Sequence, residues 1–282
     1  MRKLWGPTTA QSQSPWSFSM EALTYWQKNI DPKKYQELNW NIPERKFGQV
    51  TILGGNSQSF STVIHCSEFL TKNYPLENLR IVLPDVIRDK LPPLDNIIFT
   101  PSTDTGSFAK SNILTDTIKN TDFNIFIGDF SKNSATTIAI TEAIKEITSP
   151  FLITRDTIDL LLSESESILE HGDSFLVITM AQLQKLFRAV YYPKMLLLSM
   201  PLMQVVETLH KFTLSYPTTI ITFQQEKIII ASSGKVVTVP IESTSYSPIT
   251  LWTGDLACKI AMMNLYNPKK PIDATLAAMS NQ

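Results

Sequence analysis

Gln49-Val50-Thr51-Ile52-Leu53-Gly54-Gly55-Asn56 is a short apolar run closed by two glycines and an asparagine. A run of that length, bounded by turn residues, predicts a buried strand. Downstream, Ser61 to Asn73 carries Val63, Ile64, Ser67, Phe69 and Leu70 near one helical face. Leu79-Arg80-Ile81-Val82-Leu83 is then a second apolar run, ending at Pro84. Strand, helix and strand in that order predict a βαβ unit with parallel strands.

The alternation continues outward from this unit. Strands are expected at 97–100, 123–127, 151–154, 174–178, 218–222, 227–231 and 235–239, and the Ser232-Ser233-Gly234 turn makes a hairpin of the last two. Helices are expected at 112–120, 135–147, 160–169, 181–190, 200–212, 255–265 and 274–279. The run Ser163-Glu164-Ser165-Glu166-Ser167 reads as the solvated face of one of them. Continuous apolar strands between amphipathic helices predict a three-layer α/β fold: a mainly parallel sheet with helices on both faces. Residues 1–46 are polar, spotted with proline, and hold Trp5, Trp16, Trp26 and Trp40. They read as an N-terminal arm with short helices at 20–29 and 32–38, leaving 47–282 as the α/β domain.

The chain has 25 basic and 26 acidic residues among 282, a formal charge of -1, which gives no global attraction to nucleic acid or an anionic membrane. No segment is long and apolar enough to span a bilayer, because the greasiest one, 195–206, is short and contains Pro201. The first residues lack the apolar core of a signal peptide, so a cytoplasmic protein is expected. Cys66 and Cys258 lie in apolar segments with no metal-type spacing and read as buried, inert thiols. His65, His171 and His210 are scattered, with no acidic or cysteine partner at ligand spacing, so no metal site is expected. No Gly-x-Ser-x-Gly elbow and no Walker loop are present.

In open α/β sheets ligands bind beyond the carboxyl ends of the strands, so the residues just after each strand are the candidates. Thr253-Gly254-Asp255-Leu256-Ala257 places a glycine and an acid at the start of an apolar helix. Free backbone N–H groups at such a start suit an anionic phosphoryl group, and Asp255 is a candidate proton acceptor for an attacking hydroxyl. The same acid also reads as an ordinary helix-dipole partner.

In order along the chain, these segments resemble the ribokinase-like enzymes, and in particular the ADP/ATP-dependent NAD(P)H-hydrate dehydratase family. Thr253-Gly254-Asp255 is similar to the Gly-Thr-Gly-Asp signature. Phe47 to Asn56 is similar to the family's opening strand and its Gly-Gly-Ser turn. Asp122 to Phe130 falls where the family has a strand and a Gly-Pro-Gly-Leu-Gly loop, and Leu152 to Leu160 where it reads Asp-Ala-Asp-Ala-Leu. The resemblance covers about residues 43–279. It implies ADP or ATP with Mg2+ as cofactors, hydrated NAD(P)H or another small hydroxylated substrate as partner, and allows a homo-oligomer. It implies Asp255 as base, Thr253, Gly254 and Lys259 at the nucleotide's anionic end, and Gly54, Gly55, Asn56, Gly128, Asp129, Asp156 and Gln182 lining the substrate side.

The departures are specific. The family's His-Pro-Gly-Glu loop is Thr179-Met180-Ala181-Gln182, so its acid is Gln182. The glycine loop keeps only Gly128, Leu251-Trp252 replace the first glycines of the signature, Lys259 replaces the glycine after it, and Phe223-Gln224 replace a Lys-Gly pair. Each lost glycine adds a Cβ where backbone approaches phosphate, so Trp252 and Lys259 either obstruct a nucleotide or, for Lys259, supply charge. Yet Gly48, Gly54, Gly55, Gly128 and Gly254, five of only nine glycines, fall in these motifs. Three readings stay open: the dehydratase, a kinase of a small alcohol such as a vitamin precursor, and a non-catalytic nucleotide-binding descendant.

Overall fold

The computed structural model describes residues 24–244 and 253–280. Its strands form one ten-stranded sheet, numbered here in chain order: β1 (Trp26–Gln27), β2 (Gln49–Gly54), β3 (Asn78–Pro84), β4 (Ile97–Thr100), β5 (Phe123–Gly128), β6 (Phe151–Thr154), β7 (Ser174–Val177), β8 (Thr218–Gln224), β9 (Lys227–Ser232) and β10 (Lys235–Pro240). The spatial order is β1-β10-β9-β8-β7-β6-β5-β2-β3-β4. Pairing is parallel from β4 to β8 and antiparallel through β8, β9 and β10, as the hairpin predicted.

The α-helices are α1 (Ser61–Asn73), α2 (Asn112–Lys119), α3 (Ser134–Lys145), α4 (Thr157–Leu160), α5 (Ser165–Glu170), α6 (Met180–Ala189), α7 (Leu202–Ser215), α8 (Asp255–Tyr266) and α9 (Pro271–Met279). Alternate strand residues feed two apolar layers. Ile52, Ile125, Ile127 and Leu152 point to the layer shared with α1, α8 and α9. Leu53, Phe126 and Ile153 point to the layer shared with α2 to α7. All six residues of β5 are buried, which is why its sequence is a continuous run rather than an alternation.

The topology fixes where a crevice opens. From β2 the chain steps outward through α1 to β3 and β4, then returns to lay β5 on the other side of β2. Crossovers in a parallel sheet are right-handed. Reversing the direction of stepping therefore puts α1 on one face and α3 on the other, and leaves a gap above the carboxyl ends of β2 and β5. That gap is the switch point at which such sheets bind ligands.

Two expected helices differ. Helix 160–169 is instead α4, a 3-10 turn at Leu162–Glu164 and α5. Ser165 is buried and its hydroxyl donates to Leu162 O, so the serine–glutamate run is not a solvated face throughout. Helix 20–29 is overturned at Trp26–Gln27, which pair in parallel with Val236–Val237 at the sheet edge, while residues 20–23 lie outside the described residues. Trp26 Nε1 donates to Thr238 Oγ1 and Ile30 N to Thr238 O, a partner more than two hundred residues away. Residues 32–41 form a 3-10 helix with Asp31 as its cap. Among the described residues no helix is long and apolar enough to cross a membrane.

Candidate functional site

The floor of the crevice is built from the ends of β2, β5 and β6. Gly55 N donates to Gly128 O at 2.8 Å, and Asn56 Nδ2 donates to Asp129 O at 2.6 Å. Asn56 Oδ1 in turn accepts from the N–H groups of Gln58 and Ser59, so its side chain braces the loop into α1. The chain turns at Gly128 with φ +100°, where a Cβ would collide with Asp156 Oδ1. Only glycine suits that position. Gly54, Gly55, Asn56, Gly128, Asp129 and Asp156 are thus brought together from segments a hundred residues apart in sequence.

Asp129 and Arg155 follow β5 and β6 at equivalent places, and both take left-handed backbone, φ 61° and 56°. Their side chains meet, Arg155 Nη2 to Asp129 Oδ1 at 2.7 Å, both largely buried. Strained backbone of this kind persists only where the surroundings over-determine it, and it clusters at functional sites. Burial pushes the Asp156 carboxyl above its ordinary value, opposed by the N–H it accepts from Asp129 and by the Arg155 charge, while the Asp129 charge adds to the rise.

Gln182 sits beside this floor but is occupied by structure. It is the third residue of α6 and forms a capping box with Thr179. Its Nε2 donates to Arg155 O at 2.6 Å and to Asp159 Oδ2 at 2.9 Å. Burial works against ionisation of Asp159, yet hydrogen bonds from Lys185 and Gln182 outweigh it and hold that carboxyl below its ordinary value.

The turn into α8 forms the next wall. Gly254 has φ +88°, and a Cβ there would lie 2.5 Å from Cys66 Sγ and 3.7 Å from Ile127 Cδ1, so the turn packs on α1 and on the last turn of β5. Asp255, the first residue of α8, holds its Oδ1 2.7 Å from His65 Nε2, where the carboxylate accepts the imidazole N–H. The sequence offers His65 no acidic partner at ligand spacing, and the fold supplies one from 190 residues away. The two thiols are buried and meet beneath the turn, where Cys66 and burial push the Cys258 thiol well up. Lys259 lines a cavity of about 140 Å3 with Asn39, Phe69, Asn73, Tyr74 and Met263, and burial lowers its ammonium's value against the pull of Asp255. Leu251 and Trp252 lie outside the described residues.

The described residues fit an anion at α8: the helix runs for twelve residues, is preceded by Gly254 as its cap and offers first-turn N–H groups. Among them no group of three or more His, Cys, Asp or Glu is placed to hold a metal ion. A Mg2+ ion would need the oxygens of a bound phosphate chain, its usual way of being held.

No protein-family model and no curated protein sequence matches this chain. Solved structures do. A hypothetical protein of Streptococcus mutans aligns at TM-score 0.62 and 15% identity, over 89% of this chain and 87% of that one. A ribokinase-like superfamily protein of Enterococcus faecalis aligns at 0.63 and 13%, over 90% and 85%. The ADP/ATP-dependent NAD(P)H-hydrate dehydratase of Bacillus subtilis aligns at 0.54 and 14%, over 86% and 84%. What is shared at these identities is the architecture, and this chain has the ribokinase-like three-layer α/β/α fold.

Proposed function

We propose that this protein transfers a phosphoryl group from ADP or ATP to the hydroxyl of a small substrate, with hydrated NAD(P)H as the first substrate to try. The observation that carries the reading is Asp255 at the head of α8, hydrogen-bonded through one carboxylate oxygen, with the preceding Gly254 packed on Ile127, the neighbour of Gly128 in the glycine-built floor. The nucleotide supplies the phosphoryl group when bound. Asp255 takes the proton of the substrate hydroxyl as its oxygen attacks phosphorus. The first-turn N–H groups of α8 stabilise the negative charge on the group in transit. Gly55, Asn56, Gly128, Asp129 and Asp156 form the substrate side, with Thr253 and Gly254 at the anionic end of the nucleotide. Elimination of the phosphate would complete a dehydration. Gln182 cannot be the acid for that step, because a carboxamide has no proton to give near neutral pH, and its amide is held by Thr179, Arg155 and Asp159.

The reading is tested by calorimetry with ADP, ATP and NADPH hydrate, followed by turnover assays on the hydrate and on a panel of small alcohols including vitamin precursors. Nucleotide binding with turnover of any of them supports phosphoryl transfer, and the substrate that turns over decides between dehydratase and kinase. Nucleotide binding without turnover would favour a non-catalytic descendant, and no nucleotide binding would sink the proposal.

A further inference from the structure

His65 and Asp255 come from α1 and α8, and their contact is set by what lies beneath it. Cys66, the next residue on α1, points inward, is fully buried and brings its Sγ to 3.7 Å from Thr253 O. That packing pins the turn into α8 on α1 and leaves His65, a third of a turn round the helix, at the rim. The His65 side chain keeps 53% of its exposure and Asp255 33%, so both face the solvent from which a substrate arrives. An exposed pair of this kind contributes little to stability. Its placement on the candidate base is what calls for an account.

We infer that His65 is a positioning residue for Asp255, holding Oδ1 so that Oδ2 meets the substrate hydroxyl; the inference rests on the phosphoryl-transfer reading of this site. Neutral His65 donates its Nε2–H to Oδ1, and the hydroxyl proton passes to Oδ2. Other charged or titratable groups near the pair are Lys259 one turn along α8, Glu68 one turn along α1, and the Cys258 thiol below. The strands under α1 present Val50, Ile52 and Ile81, which do not titrate.

The test compares kcat and KM for wild type, His65→Ala and His65→Gln with whichever substrate turns over. Misplacing a reacting group typically costs about 100-fold, so His65→Ala should lower kcat by roughly 10- to 100-fold with KM little changed. His65→Gln, which keeps an N–H donor near the Nε2 position, should recover most of that loss. No recovery in His65→Gln, or an effect of His65→Ala on KM alone, overturns the inference. The nitrogen resonance of His65 Nε2 gives an arm that needs no turnover, and it should move on Asp255→Asn. A resonance that stays put overturns the inference whatever the activity. One that moves in a protein that turns over no substrate overturns the phosphoryl-transfer reading, and the positioning role with it.

Discussion

Asp156 Oδ1 accepts the backbone N–H of Asp129 at 2.7 Å, so a carboxylate at the end of β6 closes the turn at the end of β5. The same oxygen occupies the space a side chain on Gly128 would need. Gly128→Ala must therefore strain a left-handed backbone and displace Asp156 together. We expect a loss of about 2–4 kcal/mol, the sum of a strained φ and a disturbed buried hydrogen bond. Urea unfolding measures it, with Gly172→Ala as control, since nothing lies within 4 Å of a Cβ at Gly172.

Burial raises the folded-state value of the Asp156 carboxyl above that of the unfolded chain. Its contribution to stability is thus full below the unfolded value and lost as pH rises through the folded one. Asp156→Asn keeps an oxygen acceptor for Asp129 N–H and removes the titration. Wild type should gain stability relative to Asp156→Asn as pH falls from 7 toward 4. Parallel urea titrations across that range, with a constant difference between the two proteins, would contradict this.

Gln182→Glu restores an acid at the family's position but cannot donate to Arg155 O or Asp159 Oδ2. It also sets a carboxylate beside the Asp159 carboxylate. The expected cost is about 1–3 kcal/mol, as for a buried acceptor left without its donor, with no gain in dehydration. Melting temperature and hydrate turnover read the two effects separately.

Asp255→Asn keeps the size of the side chain at the head of α8 while removing the proposed base. Loss of a general base costs about 10²–10⁴-fold in rate, and calorimetry should find nucleotide affinity changed much less. A variant that keeps full turnover would take the base role away from Asp255.

Cys66 and Cys258 are both buried, and the Cys258 thiol is held well above its ordinary value. Thiols that are neither exposed nor ionised react slowly. A disulfide reagent should label neither in the native protein and both in urea. Fast labelling without denaturant would mean that the turn over Cys66 opens on the timescale of the reaction.

The strand limits were legible because β2, β5 and β6 are buried on both faces, so burial and chain period coincide; residues 151–154 were expected and found as written. The turn glycines were legible for a related reason, since Gly54, Gly55 and Gly128 stand directly after apolar runs. What failed was anything set by a distant partner. Trp26 is amphipathic in its own segment, and only its pairing with Val236 makes it a strand residue. The acid nearest His65 in sequence is Glu68, one turn along α1, and only the packing of α8 on α1 supplies the partner it has, Asp255. Gln182 is held by a capping box with Thr179, three residues away and legible in the sequence, and by the Arg155 carbonyl beyond β6, which was not.

The pairing of β1 with β10 also governs the order of assembly. Residues 26–27 leave the ribosome early, yet their partners at 236–237 follow two hundred residues later. Until then Trp26 and Gln27 have no strand to pair with. Contacts of such long separation form late and slowly. Docking of Trp26 at the sheet edge is therefore expected to follow the β8–β10 hairpin rather than to precede it.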